Sequence, residues 1–262
     1  MAVLRPGLGS PQKGILFFIR TVPRPAFARL ALVLFSLAGG SLLVAAEPAA
    51  KKKDKAGNAT KAASGPARWE ETIQRFEAAD VANPPAKGGV LLVGGSNARR
   101  WTDVAERFPA QTVLNRGFGG AQLADVLHFA DRIVVPYAPK TILLNAGGND
   151  LSAGQTPEQI RDVARVFAAK IRAALPGTRI VYLSLPPVLR AAGLPDALAT
   201  IKKLNGLLAT LAAEEKNLEF VDLFPAFLGA DGQSRAELFV EDGTHFSAAG
   251  YVAVADLVRG KL

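Results

Sequence analysis

The 262-residue sequence predicts an α/β domain whose parallel sheet is covered by helices on both faces. Three observations carry this expectation. From residue 88 onward, short apolar runs alternate with longer amphipathic stretches, the order produced by repeated βα units with right-handed crossovers. The run Val90-Leu-Leu-Val93 is continuously apolar, which suits a central parallel strand rather than a half-solvated edge. Glycine-bearing polar breaks follow the runs, and in open α/β sheets ligands bind beyond the strands' carboxyl ends.

Taken in order, residues 1–29 hold Arg5, Lys13, Arg20, Arg24 and Arg29, and residues 30–46 form an apolar segment without charge. A basic stretch before an apolar one predicts a signal peptide, and the small residues Val44-Ala45-Ala46 place cleavage before Glu47. The alternative is an uncleaved membrane anchor through residues 30–46, which approaches the roughly 20 residues a bilayer span needs; Gly39-Gly40-Ser41 weakens that helix. With cleavage the expected location is periplasmic or secreted, and without it membrane-anchored. The absence of cysteine excludes disulfides, thiolate metal sites, a cysteine nucleophile and a lipid-modified N-terminus. Residues 47–65 are rich in alanine and lysine, contain no aliphatic larger than alanine, and read as a linker.

The folded domain is expected over 66–262. Trp69, Ile73 and Phe76 share one helical face before Asn83-Pro84-Pro85 stops the helix. The strand at 90–93 ends at Gly94-Gly95, a pair that permits a sharp turn and delivers Ser96 to the strand's carboxyl end. A helix over 99–108, a strand over 112–115 and a helix over 122–133 follow, the last with Leu123, Val126, Leu127 and Ala130 inward. Residues 141–145 form the next buried strand. Pro157 opens a helix to Leu175 with Ile160, Ala164, Phe167 and Ile171 on one stripe, and Pro176-Gly177 ends it. Strands at 179–184 and 219–223 are separated by a helix over 197–215, and a last helix runs over 248–258. The net charge of +8 resides in the terminal segments, because residues 66–262 contain 21 basic and 21 acidic residues. A neutral domain offers no basic groove for a phosphate backbone, which argues against a nucleic-acid partner.

Four polar blocks stand out: Gly94-Gly-Ser-Asn97, Asn115-Arg-Gly-Phe-Gly-Gly120, Ala146-Gly-Gly-Asn-Asp150 and Asp242-Gly-Thr-His245. The first three follow expected strands and therefore meet at one edge of the sheet. Together the blocks supply what acyl transfer needs: a hydroxyl nucleophile, donors for an oxyanion, and an imidazole held by a carboxylate. Asp242 and His245 are three residues apart, so the carboxylate reaches the imidazole while the chain turns at Gly243. Taken singly, each feature has a blander reading: a small-residue βα turn with a capping side chain, or a polar surface histidine. His128, mid-helix beside Phe129, reads as structural, and two distant histidines argue against a zinc site.

With these blocks in this order, the sequence resembles the SGNH, or GDSL-type, hydrolases, and within them the branch similar to platelet-activating-factor acetylhydrolase subunits. The resemblance covers about residues 88–262. It implies a three-layer α/β/α sandwich with a five-stranded parallel sheet, of flavodoxin-like kind. It assigns Ser96 as nucleophile, Asp242 and His245 as the rest of the triad, and Ser96 N–H, Gly120 N–H and the Asn149 side chain as oxyanion donors. Gly95 departs from the family's usual aspartate or serine, and Thr244 from a common leucine; neither change removes a catalytic group.

The expected activity is hydrolysis of an ester through an acyl-enzyme, without metal or organic cofactor. The expected substrate is a small acyl ester, either a lipid or an acylated carbohydrate, with a short acyl chain because residues 186–195 leave little chain for a lid. Two other readings stay open: an acyltransferase or deacetylase acting on carbohydrate, and a noncatalytic carbohydrate-binding protein on the same fold. Oligomeric state is not legible in the sequence.

Overall fold

The computed structural model describes residues 65–262 apart from Ala192. The expected leader over 1–46, and the linker over 47–65 save for Gly65, lie outside the described residues. Among the described residues, no helix is long and apolar enough to cross a membrane.

In chain order the elements are α1 (Glu70–Ala82), β1 (Val90–Gly94), α2 (Ser96–Arg100), α3 (Val104–Arg107), β2 (Val113–Gly117), α4 (Leu123–Ile133), β3 (Thr141–Asn145), α5 (Gly148–Ser152), α6 (Pro157–Ala174), β4 (Arg179–Leu183), α7 (Pro195–Glu214), β5 (Leu218–Val221) and α8 (Ala248–Val258). The five strands are all parallel in the order β2-β1-β3-β4-β5, the fold class expected from the sequence. Strand alternation divides the core in two. Leu91, Val93, Ile142, Leu144, Ile180 and Tyr182 pack under α4, α6 and α7, and Ile73 of α1 joins them. Val90, Leu92, Leu143, Val181 and Leu183 face α2, α3 and α8. Each fully buried Leu, Ile or Phe contributes roughly 1.5–3 kcal/mol relative to exposure, so the two cores supply the main stabilising force.

The chain leaves β1 toward β2 on one side and returns to β3 on the other, so the sheet reverses its winding at β1. That is where a crevice opens beyond the strand ends. Register makes the placement exact in residue terms: Gly94 pairs with Gly117 on β2 and with Asn145 on β3, so three of the polar blocks start at one level. Two further bonds tie the ends together, from Gly95 N–H to the Asn145 carbonyl and from Phe118 N–H to the Gly94 carbonyl, each 3.0 Å. Gly94 has φ +137°, and a Cβ there would lie 1.9 Å from the Asn145 carbonyl oxygen, so no other residue fits.

The structure corrects the helix expected over 99–108. Helix α2 starts at Ser96 itself and stops at Arg100, with α3 separate. Asn115 of β2 donates its amide to the carbonyls of Ala98 and Trp101, at 2.8 and 3.2 Å, which terminates α2. Trp101 then turns inward and stacks on Tyr251 of α8 at 5.4 Å. The Ala146–Asp150 block, read from the sequence only as a polar break after a strand, continues into the short helix α5. By contrast, α6 begins where Pro157 predicts. Thr156 Oγ1 accepts from Gln159 N–H and the Gln159 side chain accepts from Thr156 N–H, a reciprocal cap.

Candidate active site

Ser96 is the first residue of α2, directly after the turn at the end of β1. His245 arrives from the loop before α8, 149 positions later, with Nε2 2.8 Å from Ser96 Oγ. Its Nδ1 lies 2.6 Å from Asp242 Oδ2. The same carboxylate builds the loop, because Asp242 Oδ1 accepts the N–H groups of Thr244 and His245, both at 2.9 Å. Hydrogen bonds from the His245 amide first and its imidazole second hold the Asp242 carboxyl well below the usual carboxylate range. An ionised carboxylate only accepts, so Nδ1 carries the imidazole proton and the lone pair on Nε2 faces the serine hydroxyl.

Asn97 explains how a distant loop finds this register, and its role was not read from the sequence. Its Oδ1 accepts Phe246 N–H at 3.1 Å, its Nδ2 reaches the Thr244 carbonyl at 3.5 Å, and its own carbonyl accepts from the Tyr251 hydroxyl at 2.9 Å. The residue beside the serine thus grips the chain on both sides of His245. The sequence signal was present in Gly94-Gly-Ser-Asn97, but the partners are far away in the chain.

At the same cleft, the Ser96 and Gly120 N–H groups have no intramolecular partner among the described residues. Asn149, on α5, lies at the same opening and donates Nδ2 to the Ala121 carbonyl at 2.8 Å, which leaves its second amide hydrogen free. A Cβ on Gly95 would lie 2.8 Å from that Nδ2, so the glycine that departs from the family pattern gives Asn149 its close seat. Asp150 acts one step further out. Fully buried, it accepts Leu123 N–H with both oxygens, at 2.9 and 3.1 Å, and so fixes the start of α4 and the loop carrying Gly120. Burial pushes its carboxyl above the usual range.

Two clefts meet at Ser96 and Asn149. One, of about 700 Å³, also takes in His245, Gly120 and Trp69. The other, of about 620 Å³, presents mainly apolar surface, from Leu151, Leu185, Val188 and Ile201 among others, with Arg190 and Asp196 also in its wall. His128 lies elsewhere, exposed on α4 with its ring 4.7 Å from that of Phe129. Among the described residues, no three His, Cys, Asp or Glu side chains converge as a metal-binding set would. All five sequence-predicted site residues, Ser96, Gly120, Asn149, Asp242 and His245, are therefore brought to one place, four of them lining the larger cleft and Asp242 behind His245.

Residues 86–253 match the family described as GDSL-like Lipase/Acylhydrolase. Among solved structures, the chain is similar to a Streptococcus pneumonia protein provisionally called a platelet activating factor, at 25% identity and TM-score 0.65, over 74% of this chain and 93% of the other. It is also similar to a GDSL-like lipase from Bacteroides thetaiotaomicron, at 19% identity and TM-score 0.62, over 72% and 96% of the two chains. A third is a catalytic mutant of Axe2, an acetylxylan esterase from Geobacillus stearothermophilus, at 16% identity and TM-score 0.55, over 66% and 94%. No match is found among curated proteins.

Proposed function

The chain belongs to the GDSL-like lipase/acylhydrolase family and is a carboxylic ester hydrolase; on that premise we propose that it works as a serine esterase through Ser96, His245 and Asp242. The observation that carries this reading is the continuous relay from Asp242 to His245 to Ser96, with bonds of 2.6 and 2.8 Å. In the first half-reaction Ser96 Oγ attacks the ester carbonyl carbon while its proton passes to His245 Nε2. Negative charge gathers on the carbonyl oxygen, which the N–H groups of Ser96 and Gly120 and the free amide hydrogen of Asn149 receive. His245 then returns the proton to the departing alcohol as the carbon–oxygen bond breaks. In the second half, water gives a proton to His245 and attacks the acyl carbon; the bond to Ser96 Oγ then breaks, His245 returns the proton to that oxygen, and the acid leaves.

The proton donor fixes the sense of binding. The alcohol leaves on the side where His245 opens, which is the larger cleft, and the acyl group occupies the apolar one. That apolar cleft exceeds what an acetyl group fills, so the proposed acyl range extends upward from acetyl. Acylated carbohydrates and small lipids are the proposed substrate class; the likeness to an acetylxylan esterase supports the former. Export through residues 1–46, with maturation before Glu47, belongs to the same proposal and is tested by the mass of the native N-terminus.

The deciding experiment is labelling with a fluorophosphonate probe followed by peptide mapping. Modification of Ser96 is expected, with loss of ester turnover in proportion. A folded protein that hydrolyses esters while Ser96 stays unlabelled would sink the serine mechanism. A screen of acyl donors with and without sugar acceptors then separates hydrolysis from transfer.

A further inference from the structure

Arginine in this domain is almost always paired with a carboxylate, and the exceptions are not scattered. Among the described residues, Arg75, Arg99 and Arg190 form no ion pair, and all three line the two clefts at Ser96. Arg75 bonds only to neighbours on its own helix, the Glu71 carbonyl and the Thr72 hydroxyl. Arg100, beside them in the larger cleft, reaches a carboxylate only at 3.8 Å, and that carboxylate is Asp242, already held by His245 at 2.6 Å. The larger cleft therefore carries Arg75, Arg99 and Arg100, and no Asp or Glu lines it.

Their placement is built into the backbone. A Cβ on Gly119 would meet Arg99 Nε at 2.6 Å, so the guanidinium lies directly over the loop that presents Gly120. At the next residue of that loop, a Cβ on Gly120 would be 3.3 Å from the Trp69 ring. Trp69 is itself fixed, with Nε1 donating to Asp125 at 3.1 Å and its ring edge-on to Phe118 at 5.6 Å. The result is an aromatic wall with a cationic rim, next to the group that protonates the leaving alcohol.

We infer that the alcohol half of the substrate carries an anionic group, a phosphate or a carboxylate, held by Arg75 and Arg99 with Arg100 at the edge. Guanidinium pairs bind both groups bidentately. The inference rests on the serine-esterase reading above, which assigns this cleft to the leaving alcohol.

The test compares three acetyl esters that share one acyl group: acetylglycerol, acetylglycerol 3-phosphate and acetylglycerate. At low ionic strength one or both anionic esters should exceed the neutral one in kcat/KM by about 10–100-fold, the range for charge-assisted bonds. The advantage should shrink with added salt and disappear in Arg75→Gln/Arg99→Gln, whichever anion is preferred. Calorimetry of the Ser96→Ala protein reads the same site without turnover: glycerol 3-phosphate or glycerate should bind, glycerol should not, and Arg99→Gln should weaken the anion. Equal kcat/KM for all three esters, or arginine substitutions that lower all three alike, overturns the inference. Loss of acetylglycerol hydrolysis in Ser96→Ala reports on the esterase itself, so a failure of that reading and a failure of the anion preference are separate results.

Discussion

Asn149 donates to the Ala121 carbonyl at 2.8 Å, so helix α5 after β3 and the loop after β2 are joined by the same side chain that stands at the opening beside Ser96. One amide hydrogen is structural and the other is free for chemistry. Asn149→Ala is expected to lower kcat by on the order of 10²–10³ with little change in KM, because a donor to a developing charge acts mainly in the transition state. The lost bond to Ala121 adds a stability cost of about 1 kcal/mol. Asn149→Asp should be worse for turnover, since it sets a negative charge against both the oxyanion and the Ala121 carbonyl. Measuring kcat, KM and melting temperature together decides it: a normal kcat in folded Asn149→Ala removes the oxyanion role.

On the proposed mechanism Ser96 and His245 act on one proton, so their losses should not add. Ser96→Ala and His245→Ala are each expected to abolish turnover, and the double variant should be no worse than either. Residual rates of purified proteins on one ester settle this. A double variant far slower than both singles would mean that the 2.8 Å contact is not used in catalysis.

Asn97 is a positioning residue. Asn97→Ala removes the acceptor for Phe246 N–H and should cost about 1–3 kcal/mol of stability as well as lowering kcat more than it alters KM. Asn97→Asp keeps an oxygen for Phe246 N–H and should recover most of the stability. The Tyr251→Phe variant, which loses only the bond to the Asn97 carbonyl, gives the comparison for a structural effect. If Asn97→Ala melts lower but turns over at the normal rate below its melting range, the grip on the His245 loop has no kinetic role.

The depressed Asp242 carboxyl makes a prediction with a definite sign. An acid whose folded pKa lies below its unfolded value, about 3.9 for aspartate, contributes stability that is present above that unfolded value and is lost as pH falls through the folded one. The difference in melting temperature between wild type and Asp242→Asn should therefore be constant from neutral pH down to about 5 and shrink below 4. With its side chain 43% exposed, Asp242 is screened by water, so the difference should be modest. A difference that grows with acidity would contradict the assignment.

Much of this arrangement was legible because local pattern and global position agree. Val90 to Val93 read as a central strand from their unbroken apolar character, and they lie between β2 and β3. The stripe from Ile160 to Ile171 read as one helical face and is fully buried. The expectations that failed depended on partners far along the chain. Helix α2 ends early because Asn115, from the neighbouring strand, takes the carbonyls that a longer helix would need. Asn97 stands in the first polar block, but its role is not legible there because its partners stand 147 and 149 positions away. The cationic rim escaped notice because Arg75 belongs to α1, outside the four polar blocks, and only the fold sets it beside Arg99.

The loop of Asp242 and His245 has a consequence for when activity can begin. A polypeptide made from its N-terminus carries Ser96 long before it carries His245, with 149 positions between them. On the proposed mechanism, until the later segment exists and Tyr251 and Phe246 have latched onto Asn97, the serine has no base and stays an ordinary alcohol. On that reading the order of synthesis acts as a safety catch: an unfinished or unfolded chain has no reactive nucleophile to spend.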